Sequence, residues 1–158
     1  GVLLSPVIHG GGQERGIRSG TENVAAIVGF AKALSEADEL RQTETKRLQA
    51  LQLQLIDLLR QKIPGVTVHG SATHRLPNNV HISIPGTDNE RLLMELDERG
   101  IMVANGSACS ASSDEPSHVL RAIGVSDAVA QSSLRITLGR QTTKTDINQL
   151  VKQLCAIL

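Results

Sequence analysis

Pro77-Asn78-Asn79-Val80-His81-Ile82-Ser83-Ile84 is the stretch that sets the fold class. Val80, Ile82 and Ile84 fall on every second position with His81 and Ser83 between them, which is the period of a strand with one apolar and one polar face. Working outward, residues 66–69 read as another short strand, 88–99 as a helix and 101–104 as a strand. Residues 116–123 and 127–131 read as short helices, 133–138 as a strand and 144–158 as a closing helix with Thr143 at its N-cap. Helices interleaved with short strands predict an α/β or α+β domain, a small mixed sheet packed with helices.

Upstream, residues 22–62 are helical in composition. Val24, Ile27, Val28, Ala31 and Leu34 make one apolar stripe; Leu48, Leu51, Leu55, Leu58 and Leu59 make another. The polar residues 41–47 between them suggest a break into two helices, and Pro64-Gly65 ends the run. The apolar surface of this region is expected to find part of its cover outside the chain, and left bare it would be sticky. Residues 5–21, with His9-Gly10-Gly11-Gly12-Gln13-Glu14-Arg15-Gly16-Ile17-Arg18-Ser19-Gly20-Thr21 at their centre, have neither helical nor strand period.

The chain has 158 residues, 40% of them hydrophobic, enough for one principal domain with a real core. Its 16 basic and 16 acidic residues cancel, which removes any global electrostatic case for nucleic acid or a membrane surface. Phe30 is its only aromatic residue, so base stacking has little to work with and no direct nucleic-acid binding is expected. No apolar run approaches the roughly 20 residues of a membrane span, and the first residues do not read as a charged leader followed by a small-residue cleavage site. Gly1 is followed directly by Val2-Leu3-Leu4, a start that looks like a cut through a larger protein. Two dissimilar cysteines point to reduced thiols and a cytoplasmic setting.

Three groups of residues are candidates for chemistry. Cys109 sits in Gly106-Ser107-Ala108-Cys109-Ser110-Ala111-Ser112-Ser113, among small residues that suit an accessible nucleophile on a mobile support; an inert loop thiol fits the same pattern. Cys155, by contrast, shares a helical face with Val151, Leu154 and Leu158 and reads as a core position. In Leu134-Arg135-Ile136-Thr137-Leu138 the alternation sends Arg135 away from the core face. It is there either to grip a carboxylate through its planar fork or as a surface or salt-bridged arginine. Gly10, Gly11 and Gly12, with Arg15, Arg18 and Thr21, form either an anion-binding loop or a flexible turn. The histidines at 9, 69, 74, 81 and 118 lack metal-ligand spacing, and no metal site is expected.

Taken in order, His9 to Asn23, Pro77-Asn78-Asn79, Gly106 to Cys109, Pro116-Ser117-His118-Val119-Leu120 and Ser133-Leu134-Arg135 through Gly139-Arg140 resemble the C-terminal part of a NifS-like cysteine desulfurase. These belong to the pyridoxal-phosphate-dependent class V aminotransferase family. The long segment between Cys109 and Ser133 resembles the subgroup that serves general iron–sulfur cluster assembly. The resemblance implies the C-terminal part of a fold-type I PLP-dependent transferase. Residues 1–21 would be a remnant of the large cofactor domain, 22–62 linking helices and 63–158 a small C-terminal domain carrying the cysteine loop.

It further implies a homodimer that converts L-cysteine to L-alanine, carries sulfur as a persulfide on Cys109, and passes it to an iron–sulfur scaffold or other sulfur acceptor. Arg135 would hold the substrate carboxylate, and Thr21 would reach the phosphate of the neighbouring subunit's pyridoxal phosphate. His9, Gly10, Gly11, Gly12 and Arg18 would line the active-site loop. The lysine that holds the cofactor covalently matches none of the chain's five, at 32, 46, 62, 144 and 152, so the chain alone is expected to be inactive. A selenocysteine lyase or class V aminotransferase fragment, or a non-catalytic sulfur-accepting module, are the alternatives.

Overall fold

The computed structural model describes residues 2–105 and 116–158. The alternating stretch becomes β2 (Asn79–Ser83), the middle strand of a three-stranded sheet. β1 (Thr67–Val68) and β3 (Ser133–Thr137) flank it, each antiparallel to it. The small sheet packed with helices is therefore present, and among the described strands it is antiparallel throughout instead of mixed. Residues 101–104 do not make a further strand. They touch the sheet at a single antiparallel bridge, Ala104 to Arg135, while Met102 beside it is exposed.

One face of the sheet carries Val80, Ile82, Ile84, Leu134, Ile136 and Leu138, all buried. Three helices cover that face. α1 (Val24–Lys62) contributes Leu51, Leu55, Ile56 and Leu59; α2 (Asn89–Asp97) contributes Leu92 and Leu96; α5 (Lys144–Ile157) contributes Ile147, Leu150, Val151 and Leu154. Burying each such side chain contributes about 1.5–3 kcal/mol, so this cluster is the main source of the domain's stability. Two short helices, α3 (His118–Ala122) and α4 (Asp127–Ala130), precede β3 in the sequence.

The helix starts follow their sequence signals. Asp88 caps α2 by accepting from the backbone N–H groups of Glu90 and Arg91, and Thr143 forms a reciprocal capping box with Asp146 at the start of α5. Arg47 on α1 donates to the backbone oxygens of Gly139, Arg140 and Thr142, which ties the turn after β3 to α1.

Two expectations are corrected. Residues 41–47 do not break the helix: α1 is continuous, because this polar stretch is made largely of good helix formers and carries the i,i+3 pairs Arg41–Asp38 and Arg47–Glu44. Cys155 is exposed, not a core residue. The buried stripe of α5 runs through Ile147, Leu150, Val151 and Leu154, and Cys155 lies one residue further round the helix from Leu154.

The chain divides into two compact units, one ending at Arg41 and one spanning Gln42–Leu158. The core just described belongs wholly to the second. In the first, Ser19 is the one described residue that is buried, and Val24, Ile27, Val28 and Leu34 are exposed. No helix among the described residues is long and apolar enough to cross a membrane.

Candidate functional site

The candidate residues fall in three places. His9, Gly10, Gly11, Gly12, Arg18 and Thr21 belong to the first unit and Arg135 to the second. Cys109 lies outside the described residues.

The glycine-rich loop closes on itself. Ile8 and Arg18 form a parallel bridge, the N–H of Ser19 donates to the Ile8 oxygen, and the N–H of Gly12 donates to Ser19 Oγ at 3.2 Å. Gly12 has a φ of 78°, and a Cβ on Gly10 would come within 3.2 Å of the Ser19 Cβ, so both positions favour glycine for local reasons. Gln13 Oε1 accepts from Gly20 N–H, and the Arg18 guanidinium donates to the oxygens of Gly20 (2.7 Å) and Thr21 (3.5 Å). Arg18 thus stiffens the turn that presents Thr21, an exposed residue whose hydroxyl has no partner among the described residues. His9 is exposed as well. The side chains of Glu14, Arg18, Glu22, Asn23, Ile27 and Phe30 border an open cavity of about 420 Å³ in this unit.

Arg135 occupies the middle of β3, half-buried, on the sheet face opposite the core. Its backbone N–H and oxygen are both taken by Ala104, at 2.6 and 3.1 Å. Its guanidinium makes no hydrogen bond or ion pair among the described residues. Ala104 precedes Cys109 by five residues in the sequence.

Across the same face, Arg135 is in register with His81, and His81 with His69 through the N–H of His69 donating to the His81 oxygen at 2.8 Å. The two rings meet edge to face with centroids 5.7 Å apart. Burial lowers the His69 pKa, and His81 is pushed down to about 4 by burial first and then by His69, Arg135 and Arg75. Both rings are therefore neutral near pH 7. Arg75, also half-buried, donates to the His69 oxygen at 3.2 Å. Sequence reasoning passed over His81 and His69 because it tested the histidines for metal spacing alone. The alternation already put His81 on the polar face of β2, and only the register with Arg135 was missing. Among the described residues, no three His, Cys, Asp or Glu side chains gather into a metal site.

Residues 7–150 match the family model of the class-V aminotransferases. The chain belongs to that family. It is 44% identical over 160 residues to the cysteine desulfurase IscS of Clostridium botulinum (strain Hall), covering all of this chain and 40% of that protein. It is 47% identical over 150 residues to IscS of Haemophilus influenzae (strain PittEE), covering 95% of this chain and 36% of that protein. Among solved structures, a NifS-like protein from Rickettsia africae superposes with a TM-score of 0.81 at 36% identity, over 99% of this chain and 40% of that one. The chain therefore spans about 40% of the length of these relatives, and its architecture is that of the C-terminal part of a NifS-like PLP-dependent transferase.

The described residues fit such a cofactor at one point only. Thr21 offers a free hydroxyl for a phosphate, whereas Lys32, Lys46 and Lys62 lie on α1, and Lys144 and Lys152 on α5, none on a loop suited to a covalent bond with the cofactor.

Proposed function

We propose that the complete protein is a cytoplasmic, homodimeric cysteine desulfurase dependent on pyridoxal phosphate. In this reading residues 1–21 belong to the cofactor domain, 22–62 link it to the rest, and 63–158 form the small domain that carries Cys109. The observation that supports it most is Arg135, a guanidinium with no partner among the described residues, on a fixed strand whose backbone is bonded to Ala104, five residues before Cys109 in the sequence.

Arg135 would hold the carboxylate of L-cysteine through a bidentate, charge-assisted pair. Cys109, as thiolate, would attack the substrate sulfur. A sulfur–sulfur bond forms, the carbon–sulfur bond of the substrate breaks, its electron pair stays with carbon, and a proton there completes alanine. One cysteine plus the Cys109 thiol thus gives one alanine plus a persulfide, with no external oxidant. When bound, the cofactor supplies an electron sink for the substrate's carbon skeleton. Thr21 would contact the phosphate held by the neighbouring subunit, with Arg18 keeping its turn rigid and His9 to Gly12 lining the same loop. The persulfide would then pass to an iron–sulfur scaffold or other acceptor protein, and the chain alone, lacking a suitable lysine, would be inactive.

The test is alanine release from L-cysteine by the complete, cofactor-loaded protein. Cys109→Ser should reduce desulfurase turnover by at least a hundredfold without releasing the cofactor. Unchanged turnover would point to a lyase or aminotransferase of the same fold.

A further inference from the structure

The two backbone bonds between Arg135 and Ala104 determine what faces Arg135 on its other side. Because both backbone polar groups of Arg135 turn toward Ala104, none is left for β2, and the pair His81–Arg135 is a non-hydrogen-bonded one. Side chains in such pairs stand closest, with Cα atoms about 4.5 Å apart. His81 is therefore the β2 side chain that stands beside Arg135, near enough for the arginine's charge to act on it.

His81 is itself held in place. Its Nδ1 is buried with no hydrogen-bond partner among the described residues. Its ring packs edge to face on His69. His69 Nε2 lies 2.7 Å from Ser83 Oγ, and Ser83 Oγ donates its proton to the Val129 oxygen at 2.7 Å. The serine has one proton and gives it to Val129, so the shared bond with His69 requires the proton on His69 Nε2. That requirement fixes the tautomer and orientation of His69. A chain of contacts thus runs from Val129 on α4 through Ser83 and His69 to His81, which is paired in register with Arg135. Among the described residues, the charged or titratable groups facing His81 are His69, just after β1, Arg75 from the connection between β1 and β2, and Arg135 from β3.

We propose that His81 is a positioning residue for Arg135: a neutral, fixed imidazole that sets the direction of the guanidinium toward the carboxylate of an α-amino-acid substrate. This rests on the desulfurase reading given above. A positively charged side chain at position 81 would repel Arg135, a carboxylate would pair with it in place of the substrate, and a small side chain would leave it free to turn, so both neutrality and bulk matter. The role concerns binding and leaves the chemical step at Cys109 untouched.

The experiment uses the complete, cofactor-loaded enzyme with variants His81→Leu, Arg135→Lys and the pair together. His81→Leu is expected to raise KM for cysteine roughly fivefold to tenfold with kcat within about twofold, the pattern of a lost binding interaction. Added to Arg135→Lys it should raise KM little further, because both act through one guanidinium. As a readout independent of turnover, the NMR titration of His81 should move to higher pH in Arg135→Gln, since a neighbouring positive charge has been removed. The same titration serves if His81→Leu does not fold. An unchanged KM in His81→Leu while Arg135→Lys raises it, or a His81 titration indifferent to Arg135→Gln, would overturn this inference alone. An unchanged KM in Arg135→Lys would overturn the carboxylate assignment and this inference with it.

Discussion

The two apolar stripes of α1 look alike in sequence and have opposite fates. In the second unit Leu51, Leu55 and Leu59 are at most 5% exposed, packed with β2, β3, α2 and α5. In the first, Val24, Ile27, Val28 and Leu34 are each more than half exposed. Helical periodicity says which residues want cover; it does not say whether this chain supplies it. The difference fits a piece of a larger architecture, in which the second unit has a core of its own and the first depends on surfaces elsewhere.

Stability measurements can break that comparison. Leu55→Ala removes a fully buried side chain from the core and should cost about 2–5 kcal/mol in chemical denaturation. A loss below about 1 kcal/mol would mean that the core is looser than its burial implies. A smaller effect is expected from pH. His81 titrates near 4 in the folded protein against an ordinary value of 6.5, so between those values the unfolded chain takes up a proton that the folded one refuses. Stability should therefore fall as pH drops from about 6.5 toward 4 and gain nothing from this group above 6.5. His81→Leu should flatten that part of the profile, and an identical slope in the variant would show that the imidazole is not buried in solution.

The smallest change is expected from Ile27→Ser, on the exposed stripe. Denaturation of the Gln42–Leu158 unit should shift by no more than about 0.5 kcal/mol, while binding of an apolar dye or self-association decreases. A large destabilisation would show that this stripe is covered within the chain after all.

The same contrast separates what the sequence disclosed from what it did not. Alternation at Val80, Ile82 and Ile84, and again at Leu134, Ile136 and Leu138, located two strands and their core face, because period alone settles which side is buried. Capping chemistry located the start of α5 at Thr143. Strand direction and register depend on partners distant in sequence, so neither the antiparallel order nor the row His69–His81–Arg135 was readable. The tertiary environment also overrode local appearance. Cys155 sits next to a buried leucine yet faces out, and residues 41–47 look like a break yet continue the helix because their charges pair along it. The family was legible in a different way, through short motifs in a fixed order, and those named Arg135 and Cys109 without showing what surrounds them.

That Cys155 is exposed sharpens the central question, since accessibility no longer disqualifies it as a sulfur carrier. The direct measurement is to give L-cysteine to the complete, cofactor-loaded protein and map added sulfur by peptide mass spectrometry. The account predicts one extra sulfur on the peptide containing Cys109, removable by a reductant, and none on the peptide containing Cys155. Sulfur on Cys155, or on neither thiol while alanine is released, would contradict it.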